Sequence, residues 1–327
     1  MRIWAGLCLV AGLLATVAAE AEPLRLDIRR IEQFGLTGED GSAPLRFLGG
    51  LDISSPDRDF GGYSGIAISG GGADMLLIGD SGTFVTARLL HQDGRLIGIA
   101  DAEIDSLFPE SDGSKRASDA EDVALDPQDP QHGVIVRERQ ANALLRFRLQ
   151  NGRPTGFEPM RVGADDRILR SNKGLESVAY APSGSPAAGE IIAIAERAPR
   201  GEENIPGWIA GVGSFEIVRH DDFDVSSARF LPDGDLILLE RRYAPAWGIA
   251  VRLRRIDGAA VKVGAKLDGD YLLDAGMTSQ IDNMEGLAVH QDAAGRTVLT
   301  LISDDNHNLL QRTLILQFAL SQGGPPR

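Results

Sequence analysis

One phrase returns five times along this chain: a polar or acidic step, a short apolar strand, a turn, a second apolar strand and a charged tip. The first copy runs Tyr63-Ser64-Gly65-Ile66-Ala67-Ile68 and then over residues 75–80 to the tip Asp80. The second is Asp119-Ala120-Glu121-Asp122-Val123-Ala124-Leu125 with Val134-Ile135-Val136 and the tip Glu138-Arg139. The third is Asn172-Lys173-Gly174-Leu175-Glu176-Ser177-Val178-Ala179 with residues 191–195 and Glu196-Arg197. The fourth, Ser226-Ser227-Ala228-Arg229-Phe230, leads through Pro232-Asp233-Gly234 to residues 236–239 and Glu240-Arg241. The fifth is Asp282-Asn283-Met284-Glu285-Gly286-Leu287-Ala288, followed by residues 298–303 and Asp304-Asp305-Asn306.

Aligned on Ser64, Glu121, Glu176, Ser227 and Glu285, the copies are spaced by 57, 55, 51 and 58 residues. A period in this range means propeller blades, solenoid turns or arrays, and solenoid repeats are normally shorter. A third apolar or alternating strand follows each second one, as in residues 143–149, 249–256 and 313–320, and no long helical pattern intervenes. The prediction is an all-β propeller of five or six blades, mostly four-stranded antiparallel sheets. Residues 24–31 and 46–53 supply strands ahead of the first copy, while the last copy holds only three. An N-terminal strand is therefore expected to close the ring. The polar stretch 101–118 reads as a long loop, and residues 199–213, with Trp208 among glycines, as a second loop folded over a mouth; Trp247 is a candidate for the rim.

The first residues bear on the compartment. Arg2 precedes an apolar run and then Ala18, Ala19 and Ala21, the pattern of a cleavable export leader over residues 1–21. The remainder, 22–327, reads as one propeller domain in the periplasm or outside the cell. The single cysteine, Cys8, falls in the leader, which leaves the mature domain without thiol chemistry. Losing Arg2 and Glu20 together leaves the formal net charge at −14. Such a chain repels phosphate backbones, so nucleic acid is not an expected partner. No second stretch approaches the ~20 apolar residues of a membrane span. The sequence leaves the oligomeric state open.

In an antiparallel blade the start of the innermost strand and the end of its neighbour share one edge. Glu121, Glu176 and Glu285 are thus expected at one mouth of the channel with the tips Asp80, Glu138-Arg139, Glu196-Arg197, Glu240-Arg241 and Asp304-Asp305-Asn306. Crowded carboxylates raise one another's pKa unless a cation compensates them, and an all-oxygen cluster suits a hard divalent ion, Ca²⁺ first. The same residues also read as a structural ion-pair ring that pins blade to blade. Other strings carry less. Gly79-Asp80-Ser81-Gly82 ends a repeat strand and lacks a serine-protease context, and no Gly-x-Ser-x-Gly occurs. Residues 304–308 begin like an EF-hand loop, but Leu309 replaces the turn glycine and Ile315 the closing glutamate. The five histidines show no zinc spacing; His307, beside the acidic tip, is a candidate proton donor or acceptor.

Through Asp119-Ala120-Glu121, Asn172-Lys173-Gly174-Leu175-Glu176, residues 282–288, Ser303-Asp304-Asp305-Asn306 and Gln311-Arg312-Thr313-Leu314, the chain resembles the phytase-like domain family, described as "esterase-like activity of phytase". The resemblance covers about residues 45–320 and implies a secreted propeller that hydrolyses phosphate or carboxylic esters, with calcium as its metal. The Asp-Ala-x-Asp-Asp-Pro-Ala motif of true calcium-dependent phytases is missing, and a polyphosphate would want clustered Lys and Arg, so phytase activity is not carried over. The resulting expectation is a hydrolase of small-molecule esters or phosphoesters in which Glu121, Glu176, Glu285 and Asp304 hold Ca²⁺. Arg139, Arg197 and Arg241 would steady anionic charge, and His307 or Glu285 would move the proton. The competing expectation is a non-catalytic propeller that binds a ligand or protein at the same mouth.

Overall fold

The computed structural model describes residues 22–35, 44–108, 119–137, 143–163, 174–245 and 248–321. Five sheets account for almost all of it, and the described residues contain no α-helix, only a short 3-10 turn at Gly258–Ala260.

Numbered in chain order, the first blade carries β4 (Tyr63–Ser69) innermost, then β5 (Asp74–Gly79), β6 (Thr83–Gln92) and β7 (Arg95–Ser106), with the short β1 (Glu22–Pro23) outside. The second is β8 (Ala120–Leu125), β9 (His132–Arg137), β10 (Ala143–Gln150) and β11 (Arg153–Met160). The third is β12 (Leu175–Tyr180), β13 (Ile191–Ala195), β14 (Ile205–Ile209) and β15 (Gly213–Ile217), with β19 (Lys266–Leu267) running parallel beside β15. The fourth is β16 (Asp224–Phe230), β17 (Leu236–Ala244), β18 (Gly248–Ile256) and β20 (Asp270–Ala275). The fifth is β21 (Met284–Gln291), β22 (Thr297–Ser303) and β23 (Thr313–Leu320), extended by β3 (Leu45–Ser54) and β2 (Asp27–Ile31).

The molecule thus has five blades. A sixth does not form because β2 and β3, the surplus N-terminal strands, hydrogen-bond onto the fifth sheet, β3 pairing antiparallel with β23 from Thr313↔Ile53 to Leu320↔Leu45. The inner strands β4, β8, β12, β16 and β21 touch one another in cyclic order around the axis.

Burial follows position in the blade. Second strands such as β13 and β17 are packed on both faces by neighbouring sheets, so they read as continuous apolar runs, whereas the outer β11 alternates. Hairpins are set by local chemistry. Asp93-Gly94 and Asn151-Gly152 both take positive φ, as the tight turns β6–β7 and β10–β11 demand.

Two loop expectations are corrected. Residues 101–106 belong to β7, and residues 205–209 form β14 inside the third blade, with Trp208 buried in the core instead of roofing a mouth. Gly207 permits this, because the Phe215 ring lies across its face and leaves no room for a Cβ. Trp247 and residues 1–21 lie outside the described residues.

Candidate active site at the channel mouth

In every blade the pairing of the inner strand with its neighbour slips by one residue at the same place: between residues 63 and 65, 120 and 122, 175 and 177, 225 and 227, and 284 and 286. The extra residue is Ser64, Glu121, Glu176, Ser226 or Glu285. A β-bulge turns its unpaired residue out of the ladder and re-aims its side chain, which is why the polar steps of the repeat end up at the mouth. In the fourth copy that residue is Ser226, not the Ser227 of the sequence alignment; the bulge breaks the alternation from which register is read. Ser226 spends its hydroxyl on Met284 O at 3.1 Å and brings no acid.

Past the bulges the channel narrows. Gly65 and Gly286 follow their bulges where a Cβ would lie 2.9 Å from Val123 N and 3.1 Å from Ile66 N respectively, so the inner strands close in on one another. Three residues beyond the bulges stand Ala67, Ala124, Ala179, Arg229 and Ala288, all buried. The one large side chain among four alanines plugs the axis. Arg229 donates from Nη1 to Asp122 Oδ2 (2.8 Å) and Val178 O (2.8 Å), and from Nη2 to Asp122 Oδ1 (2.7 Å) and Val123 O. Asp122 also accepts from Val123 N at 2.9 Å and Val178 N at 3.1 Å. The carboxylate mouth is therefore a blind cup.

Arg241, near the end of β17, lies at the centre of that cup. Its Nε is 2.9 Å from Glu285 Oε2, its Nη1 donates to Asn283 Oδ1 at 3.1 Å, and its Nη2 is 3.8 Å from both Glu176 Oε1 and Glu196 Oε1. Asn283 Nδ2 in turn donates to Glu285 Oε1 at 2.8 Å, so Asn283 holds the carboxylate and the guanidinium in register. Arg197 pairs with Asp224 and, at 3.3 Å, with Glu196; Arg219 reaches Asp224 Oδ1 at 2.8 Å. Glu240, beside Arg241 on β17, points the other way and pairs with the buried Arg254.

Among the described residues carboxylates outnumber the guanidiniums they face, and the protonation of the cup reflects it. Burial, then the charges of Glu121, Glu196 and Glu285, push the Glu176 carboxyl well above its ordinary range. Glu285 is pushed up to about 7 by burial, with Asp304 and Glu196 adding to the rise and Arg241 and Asn283 opposing it. Asp304 rises to about 6, by burial and the neighbouring Asp80 and Asp305. The carboxylates conversely hold the Arg241 guanidinium more firmly protonated.

Most of the sequence-derived candidates meet here. Glu121 is near enough to Glu176 to raise it, and Asp304 near enough to Glu285. His307 stands at the rim, exposed, with its ring against Gly61 and Gly62 and its backbone at positive φ (48°), as is that of Asn306 (49°). Arg139, with Glu138, lies outside the described residues. Sequence reasoning missed Asn283 as the bridge and the Asp122–Arg229 plug, while Glu196 stands at the mouth as expected. Arg229 had a signal: with the fourth copy shifted onto Ser226 it stands alone in a column of alanines.

The donor set has the oxygen chemistry of a calcium site, but Arg241 already lies between Glu176 and Glu285 as the cup's cation. Among the described residues no three His, Cys, Asp or Glu side chains form a metal-holding group. As arranged, the cup fits a guanidinium better than a shared divalent ion.

No curated protein matches the chain. Among solved structures, the β-propeller domain of Cps50 (Swd1) from Myceliophteria thermophila superposes with a TM-score of 0.40 at 9% identity, covering 88% of this chain and 99% of that one. The family model described as "Phytase-like: Esterase-like activity of phytase" matches residues 58–307, a span that takes in all five bulges and the tip at Asp304. The chain belongs to the phytase-like propeller family.

Proposed function

We propose that the protein hydrolyses small-molecule carboxylic or phosphoric esters in the cup at the channel mouth. The observation that carries this reading is the pair Glu176 and Glu285 flanking Arg241, two buried carboxyls whose pKa values are both driven up. Such a pair divides the labour of acid and base near neutral pH. Glu285, ionised, takes a proton from water as the water oxygen forms its bond to the carbonyl carbon or phosphorus. Glu176, still protonated, gives its proton to the departing alkoxide as the ester bond breaks. Arg241, with Arg197 beside it, faces the negative charge that develops on the substrate oxygen, and Asn283 keeps Glu285 oriented. His307 at the rim is the second candidate for the proton step.

Calcium enters this reading only if Arg241 leaves Glu285, after which Glu121, Glu176, Glu285 and Asp304 would offer it oxygen ligands. No step is drawn through the ion. The export leader expected over residues 1–21 puts the reaction in the periplasm or outside the cell, and β3 serves as the N-terminal strand that closes the ring.

The test is a panel of p-nitrophenyl acetate, butyrate, phosphate and phosphodiester, assayed with and without chelator. Hydrolysis that Glu285→Gln lowers by about 10²- to 10⁴-fold, the usual worth of a general base, is expected, and chelator leaves it unchanged. Activity that disappears with chelator and returns with Ca²⁺ overturns the guanidinium-centred account in favour of the metal. A silent panel favours the second reading, a non-catalytic propeller whose Arg241–Glu285–Asn283 cluster pins the fourth blade to the fifth and whose mouth only binds.

A further inference from the structure

At the edge opposite the mouth, where β4 turns into β5, β6 into β7 and β21 into β22, the first and fifth blades enclose a cavity of about 440 Å³. Leu48, Val298, Ala293 and Ala294 give it an apolar wall, and His91 and His290 supply ring nitrogens from two different blades. Asp292 and Arg296 of the lining neutralise each other, and the exposed Asp93 adds a negative charge. Asp292 Oδ2 accepts from Arg296 Nε at 2.6 Å and its Oδ1 from Arg296 N at 2.9 Å. Burial, with His91 nearby, lowers His290 to about 4 and keeps that imidazole neutral.

The hydrogen bonds fix what the cavity offers. Gln317, fully buried, donates from Nε2 to Thr300 Oγ1 at 3.1 Å, so its Oε1 must accept from His91 Nε2 at 2.9 Å. In the neutral imidazole that assignment leaves Nδ1 of His91 as a lone-pair acceptor. His290 Nδ1 is buried without a hydrogen bond in the structure. Gly72, at φ +96°, lets the β4–β5 turn close over the other edge of the His290 ring, where a Cβ would stand 2.8 Å from Nε2.

We propose that this cavity binds a small neutral molecule with an apolar body and one or two hydroxyl donors, of the phenol kind, its hydroxyls meeting the ring nitrogens of His290 and His91. The volume matches a small-ligand site, the wall suits a ring, and the Asp93 carboxylate favours a donor over an anion. A cation has no third ligand among the described His, Cys, Asp and Glu residues, and an anion finds Arg296 already paired. The site lies at the opposite edge of the blades from the cup, shares no residue with it, and is independent of the ester chemistry proposed there.

Phenol, toluene and benzoate titrated into the full-length protein, with the five histidine rings followed by NMR, test this directly. Phenol should shift His91 and His290 saturably while His132, His220 and His307 stay in place. Toluene, which lacks the donor, and benzoate, which carries charge, should bind about tenfold more weakly or less, the worth of one buried hydrogen bond. His290→Phe should weaken phenol by a similar factor, and Glu285→Gln should leave it unchanged. The proposal falls if phenol produces no saturable shift at His91 and His290, if His307 moves with them, or if toluene or benzoate binds as tightly as phenol. The histidine shifts of the unaltered protein decide the matter even where a variant fails to fold.

Discussion

A carboxyl that titrates near pH 7 imposes a pH dependence on both rate and stability, and the two have opposite signs. For the rate, Glu285 must be ionised and Glu176 protonated. The kcat/KM for an ester should rise as pH climbs through about 7, where Glu285 loses its proton. A pH–rate profile that is flat from pH 5 to 8 would remove Glu285 from the role of base. For stability, the folded pKa of Glu285 is raised from 4.5 to about 7 and that of Asp304 from 3.8 to about 6. The folded state therefore binds more protons than the unfolded chain between those limits. Their contribution is fully present below the unfolded values and is lost as pH rises through the folded ones. Urea unfolding of Glu285→Gln beside the wild type should show the variant gaining on the order of 1 to 3 kcal/mol, relative to wild type, on going from pH 5 to pH 8. An unchanged difference would mean that the Glu285 carboxyl titrates at an ordinary value in the folded protein.

Strands and bulges explain why part of the site could be read beforehand and part could not. The repeat carried Glu121, Glu176 and Glu285 because each blade places the bulge at the same step, so a spacing along the chain becomes a ring in space. Arg241 was foreseen at the mouth but not as its centre. Its position depends on contacts with Glu285 and Asn283 of the next blade, which no local pattern encodes. The slip from Ser226 to Ser227 had one cause and one consequence: the bulge adds a residue that alternation cannot show, and Arg229 was thereby aligned with Ile66, Val123, Val178 and Leu287. Residues 199–213 misled in another way, since Pro206 and Gly207 read as loop but sit in β14, where Gly207 makes room for Phe215. The N-terminal strands were visible as strands, and their place in the fifth blade has a testable weight. Phe47 on β3 packs against Phe318 on β23 at 5.3 Å between ring centres, and both are buried with Phe34. A chain beginning at residue 55 would expose β23 as a long apolar edge. It is expected to lose its cooperative thermal transition by circular dichroism and to aggregate; a soluble, cooperatively melting fragment would show that β2 and β3 are dispensable.

Across the whole molecule, the inner strands converge on one buried ion pair. Asp122 comes from the second blade, Val178 from the third, and Ser227 and Arg229 from the fourth, so the hydrogen bonds around the pair tie three blades together at the axis. Burying two charges there is a net benefit only while both are present. Breaking such a pair leaves a desolvated charge, whereas replacing both partners by apolar groups is often close to neutral. Arg229→Met, which strands Asp122 among backbone amides with no cation, should cost about 3 to 5 kcal/mol in denaturant unfolding. Adding Asp122→Ala to Arg229→Met removes the stranded charge and should recover most of that loss, although the four flanking alanines leave space the methionine cannot wholly fill. Equal stability of the single and double variants would mean that the plug acts by filling volume and not by charge. Recovery in the double variant identifies the pair as the element that fixes how the blades meet, and with it the depth of the cup in which Glu176, Arg241 and Glu285 are held.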